Sequence, residues 1–149
     1  MSESETGLTV VLAEDDDGHA VLIQRNLVRA GLGAPVMRVR HGIELLELLH
    51  QNEALRKRQV VVLLDIRMPV LDGVETLVRL KENETTACIP VYMLSTTDDR
   101  REIERCFQLG CNAYVAKPLG TDALVEAIRR LSSFLQICAV PVAACKVVR

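Results

Sequence analysis

Four carboxylates stand in a row at Glu14, Asp15, Asp16 and Asp17, directly after a short apolar run, and a fifth, Asp65, closes another apolar run later in the chain. Carboxylates brought to close range repel one another, so a pocket that gathers them needs a cation. A hard divalent ion such as Mg²⁺ suits, because it takes oxygen ligands octahedrally, keeps several waters, and accepts one or two carboxylates together with a phosphate. Two other residues close apolar runs of their own: Ser95 after Val91 to Leu94, and Lys117 after Ala113 to Ala116, just before Pro118. A hydroxyl and an ammonium facing a carboxylate and a divalent ion form the set needed to hold the oxygens of a phosphoryl group. A carboxylate is itself a competent nucleophile toward phosphorus once metal and lysine neutralise the incoming charge. The plainer alternative for the acidic run alone is a solvated helix N-terminus, with an Asp as cap and the others complementing the dipole.

Whether these residues meet depends on the elements that carry them. Five apolar runs recur along the chain, at 8–13, 34–39, 60–64, 89–94 and 113–116, and are expected to be strands. The first, third and fourth lack polar alternation and are rich in Val, Ile and Leu, as in parallel strands covered on both faces. Between them lie stripes of helical period: Ala20, Ile23, Leu27 and Val28; Val74, Leu77 and Val78; Ile103, Cys106 and Phe107. The clearest is the last, Leu124, Ala127, Ile128, Leu131 and Leu135, opposite a face carrying Glu126, Arg129 and Arg130. Asp72, followed three residues later by Glu75, has the form of a capping box that starts the third helix. Five strand–helix units with right-handed crossovers predict an α/β fold, a single doubly wound (βα)5 flavodoxin-like domain with parallel sheet order 2-1-3-4-5. Ligands then bind beyond the carboxyl ends of the strands, where winding reverses between strands one and three, which is where Glu14, Asp15 and Asp65 fall.

At 149 residues the chain has room for one well-buried core. A polar lead over 1–7, a domain over 8–136 and an extension over 137–149 are expected. Lys and Arg total 18 against 20 Asp and Glu, for a net charge of -2, so no basic field draws in nucleic acid. The acidic start MSESETGLTV lacks the basic and apolar regions of a secretory signal, which points to the cytoplasm. The most apolar stretch, 134–145, is broken by Gln136 and Pro141, so no membrane span is expected. Five cysteines, at 88, 106, 111, 138 and 145, form no CxxC pair and have no His at metal-ligand spacing; they are expected to be buried or incidental thiols. His19, His41 and His50 are scattered and take no role.

Four stretches in order, VLAEDD at 11–16, LLDIRMPVLDG at 63–73, YMLST at 92–96 and NAYVAKP at 112–118, resemble the CheY-like receiver family of two-component response regulators. The resemblance spans nearly the whole chain. It implies that Asp65 is the phosphoacceptor, that Asp15 ligates the metal directly and Glu14 through water, and that Arg67 lends only its backbone carbonyl. It also implies that Ser95 and Lys117 bind the phosphoryl group, that Tyr114 shares the switch with Ser95, and that the bond before Pro118 is cis. A packed ring with a wet hydroxyl at a sheet edge is the plainer alternative for Tyr114. Such a protein is no enzyme beyond catalysing its own phosphorylation and dephosphorylation. It takes its phosphoryl group from a sensor histidine kinase and shifts the face made by the fourth helix, fifth strand and fifth helix.

A phosphatase of the haloacid-dehalogenase class shares only the fold type, since its nucleophile follows the first strand in a DxD pattern. A dinucleotide-binding module would need GxGxxG after strand one, which is missing. With about a dozen residues after the last helix, output is expected through protein association, or through relay to a histidine phosphotransfer protein. The runs EDDDGHAVLIQRNLVRAGL and SFLQICAVP resemble small receivers that partner phytochrome-type kinases. The apolar residues Phe134, Leu135, Ile137, Ala139 and Val140 suggest a homodimer through the last helix and the extension, the alternative being a tail folded over its own domain.

Overall fold

The computed structural model describes residues 7–137. Its strands are β1 (Leu8–Ala13), β2 (Val36–Val39), β3 (Gln59–Asp65), β4 (Val91–Ser95) and β5 (Ala113–Ala116). They form one sheet in the order β2-β1-β3-β4-β5, all neighbours parallel. The helices are α1 (Asp17–Arg29), α2 (Gly42–Gln51), α3 (Glu53–Arg56), α4 (Gly73–Glu82), α5 (Arg100–Gln108) and α6 (Thr121–Ile137). The short α3 departs from the expected (βα)5 pattern: Asn52 ends α2 and its side chain accepts from the Leu55 N–H, starting a fresh turn. The expected fourth and fifth helices are therefore α5 and α6.

Strand residues alternate between two cores, as a two-residue period requires. Val11, Ala13, Val62 and Leu64 face the side covered by Leu45 and Leu49 of α2, Leu77 and Leu80 of α4 and Cys106 of α5. Val10, Leu12, Val61 and Leu63 face Ala20, Ile23 and Leu27 of α1 and Leu124, Ile128, Leu131 and Leu135 of α6. Two expected stripe residues turn outward instead: Val28 is 60% exposed and Phe107 49%. Leu135 is buried against α1 and the sheet, as its place on the stripe of the last helix predicts, and so does not contribute to an exposed tail patch.

The carboxyl edge is set by caps and one tight turn. Asp16, Asp72 and Asp99 cap α1, α4 and α5, accepting from the backbone N–H groups of His19, Glu75 and Arg101. Thus one of the four N-terminal acids does serve as a cap, leaving Glu14 and Asp15 free of that task. After β3 the chain doubles back, and the Gly73 N–H donates to the Ile66 carbonyl at 2.7 Å. A Cβ on Gly73 would lie 2.3 Å from the Asp65 carbonyl oxygen, so only glycine lets α4 begin this close to the end of β3. In the same turn Val70 adopts φ 70°, a left-handed conformation that a β-branched residue rarely takes.

Cys106 and Cys111 are free and buried, as expected, whereas Cys88 is disulfide-bonded and so is not the thiol expected there. Disulfide formation depends on spatial approach, which spacing along the chain does not reveal. No helix among the described residues is long and apolar enough to cross a membrane.

Candidate functional site

Because β1 and β3 are neighbours with Ala13 opposite Leu64, the residues that follow, Glu14, Asp15 and Asp65, emerge side by side. One carboxylate oxygen from each lies within 4.8 Å of the others. Glu14 and Asp65 are buried, at 1% and 8% exposure, while Asp15 faces solvent. Lys117 is also buried, and its Nζ bonds Glu14 Oε1 and lies 3.6 Å from Asp65 Oδ2. Strand five delivers that lysine, and its backbone N–H is held by the Ser95 carbonyl at 2.6 Å.

Burial pushes the Asp65 carboxyl up to about 7, and its hydrogen bond with Glu14 adds to the rise, against the attraction of Lys117. Burial also disfavours charge on Glu14, but its hydrogen bonds with Asp65 and Lys117, and the lysine's charge, outweigh this and lower it. The two carboxyls are thus pushed apart, so that as pH falls below about 7 the proton goes to Asp65 while Glu14 is held toward its ionised form beside Lys117. Glu14 also bonds the Lys117 ammonium directly, which leaves its expected role toward a metal, through water, as an expectation. The donor set of hard oxygens, one of them on a buried acid that otherwise keeps a proton, fits a small divalent cation.

Ser95 and Tyr114 form a second group beside the carboxylates. Ser95 is fully buried, and its Oγ accepts from the Thr97 N–H at 3.2 Å. The half-buried Tyr114 donates its hydroxyl to the Thr97 carbonyl at 3.0 Å. Burial raises the Tyr114 hydroxyl, and a hydrogen bond with Ser95 offsets part of that rise. Thr97 thus ties both expected switch residues to the loop after β4. Arg67 turns its side chain to solvent while its backbone N–H bonds the Asp65 carboxylate.

Two features differ from expectation. All described peptide bonds are trans, including the one before Pro118; the trans form is favoured by about 0.5–1 kcal/mol even at X-Pro bonds, and the bond from Lys117 N–H to Ser95 is made in that geometry. Arg38, which no motif in the sequence singles out, clamps the acidic loop. Its Nε and Nη2 donate to the Glu14 carbonyl at 2.9 and 2.7 Å, and its Nη1 to Asp17 Oδ1 at 2.8 Å. Arg40 also reaches Asp17, at 2.9 Å. The hydrogen bond from Arg38, aided by the charge of Arg40, lowers the Asp17 carboxyl. The available signal was positional: Arg38 stands near the carboxyl end of β2, one strand away from the acidic run.

A doubly wound sheet with three carboxylates and a lysine at its switch point defines an α/β domain whose site suits a hard cation next to an anion. Residues 10–129 match the response regulator receiver domain, and the chain belongs to that family. It is 32% identical over 133 residues to the probable methanogenesis regulatory protein FilR2 of Methanothrix harundinacea, covering 89% of this chain and 86% of that one. A response regulator receiver domain from Rhodospirillum rubrum superposes with a TM-score of 0.85 at 38% identity, over 92% of this chain and 99% of the other. The phosphorylated cyanobacterial phytochrome response regulator RcpA superposes with a TM-score of 0.79 at 28% identity, over 91% and 98%.

Proposed function

We propose that this receiver domain, the unit spanning 8–136, works in the cytoplasm and accepts a phosphoryl group on Asp65 from a phosphohistidine of a sensor histidine kinase. The observation that carries this reading is the buried Asp65 carboxylate, 3.6 Å from the Lys117 ammonium and within 4.8 Å of two further carboxylates. In the transfer, an Asp65 oxygen forms a bond to phosphorus as the phosphorus–nitrogen bond breaks, and the electron pair of that bond returns to the imidazole. Asp15, Asp65 and the Arg67 carbonyl would hold Mg²⁺ directly and Glu14 through water, and the ion would supply charge neutralisation. Lys117, now on Glu14, is placed to turn to the phosphoryl oxygens. Ser95 meets them once the loop holding Thr97 moves inward, and Tyr114, tied to that loop, moves with it. The protein is then a switch and not an enzyme with an external substrate.

The likeness to a phytochrome response regulator supports a phytochrome-type kinase as the donor. Output by association, including a homodimer, draws support from Phe134 and Ile137, which are 47% and 82% exposed on α6; the rest of the extension, 138–149, lies outside the described residues. Asp65→Asn tests the central reading. The amide is a poor nucleophile, so incubation with acetyl phosphate should label the wild type at Asp65 and leave the variant unlabelled, with both folded by circular dichroism. Equal labelling of both would refute the assignment.

A further inference from the structure

A cavity of about 500 Å³ opens beside the phosphoacceptor, lined by Ile66, Arg67, Met68, Asp72, Val74 and Glu102. Arg67 follows Asp65 by two residues, and Glu102 projects from the first turn of α5. Glu102 Oε1 is buried and accepts no hydrogen bond, an unfavourable state for a carboxylate oxygen. Across the same cavity the Arg67 guanidinium makes no ion pair or hydrogen bond with the described residues. Both charges also act on the Tyr114 hydroxyl, which places all three groups in one neighbourhood. An unpartnered acceptor and an unpartnered donor of opposite charge therefore share one space next to the reacting carboxylate.

We propose that Glu102 is a positioning residue that draws the Arg67 guanidinium away from phosphorylated Asp65, and so sets how fast the acyl phosphate is lost to water. This rests on Asp65 being the phosphoacceptor. The phosphoryl group adds negative charge beside Arg67 and competes with Glu102 for the same planar, five-donor cation. When the guanidinium lies on Glu102, water has a path to phosphorus; hydrolysis then breaks the phosphorus–oxygen bond to Asp65, releasing inorganic phosphate and the free carboxylate. When it lies on the phosphoryl oxygens, it covers that path. Glu102 acts only through Arg67 and touches no reacting atom.

The experiment uses the full chain, labelled with acetyl phosphate and then freed of the donor, and follows loss of label with time. Glu102→Gln keeps the shape and removes the charge; its phosphoryl half-life should lengthen roughly two- to fivefold, the scale of a partly exposed ion pair. Glu102→Asp, which keeps a carboxylate, should return toward the wild-type half-life. In an Arg67→Ala background, Glu102→Gln should change the half-life no further, which a merely structural role for Glu102 would not produce. An unchanged or shortened half-life in Glu102→Gln, or an equal change with and without Arg67, overturns the proposal. Failure of the wild type itself to label at Asp65 removes the functional reading first, and is distinguished by being seen before any decay is measured.

Discussion

At the scale of single residues, the proposed phosphoryl transfer turns on a proton at Asp65 that a bound metal would displace. Asp65 is raised to about 7 by burial and by Glu14, so the folded protein holds this proton more tightly than the unfolded chain does, where the group has its ordinary value of 3.8. Its contribution to stability is thus complete below that ordinary value and is lost as pH rises through about 7. Glu14, lowered from 4.5, acts in the opposite sense: its contribution is present above that value and is lost as pH falls through the folded one. Between these windows Asp65 governs. Without Mg²⁺ the melting temperature should therefore fall between pH of about 5 and 8, and Asp65→Asn should flatten that slope; a parallel slope in the variant would assign the effect elsewhere. Mg²⁺ must displace the same proton, so its affinity, measured by titration calorimetry, should rise with pH and approach roughly tenfold per unit well below neutrality. Asp15→Ala should weaken binding at every pH, because one buried carboxylate with waters is a poor site.

At the scale of elements, the turn from β3 into α4 carries the greatest constraint. Gly73 is fixed by its contact with the Asp65 carbonyl, and a methyl there would push α4 off the strand or displace Asp65. Val70 is the opposite case. It is 87% exposed, so its side chain contributes little packing to offset its left-handed φ. Val70→Gly should stabilise the domain by about 1 kcal/mol, the scale of a relieved backbone outlier, read as a shift in urea midpoint at constant slope. An unchanged or lower midpoint would mean that glycine's freedom in the unfolded chain cancels the gain. The Arg38 clamp invites a third change. Arg38→Ala should lower Mg²⁺ affinity through the looser β1–α1 loop, although Arg38 offers the metal no ligand; unchanged affinity would show that the loop holds its shape without it.

At the scale of the whole molecule, α6 both completes a core and presents a surface. Leu131 and Leu135 are buried, while Phe134 and Ile137 face outward one turn apart. If the protein associates through this face, Phe134→Asp should keep the fold and weaken self-association, seen by sedimentation at tens of micromolar with and without phosphorylation; a wild type that is monomeric in both states would argue against the dimer. Much of this architecture was legible beforehand. The alternation of apolar runs with helical stripes determined the strand–helix order, because strand and helix periods are local properties of the chain. Chirality then selected the sheet order, and with it the edge at which Glu14, Asp15, Asp65, Ser95 and Lys117 had to emerge. What depended on distances across the fold was not legible. The sequence had no means of showing that Lys117 rests on Glu14, that burial raises the Asp65 carboxyl, or that Arg38 reaches over from β2, since each follows from how far separate strands approach and how much water they exclude. Nor could it show that Val28 and Phe107 turn outward or that the Pro118 bond is trans, because a residue's burial and a proline's isomer are decided by the neighbours that folding brings to it.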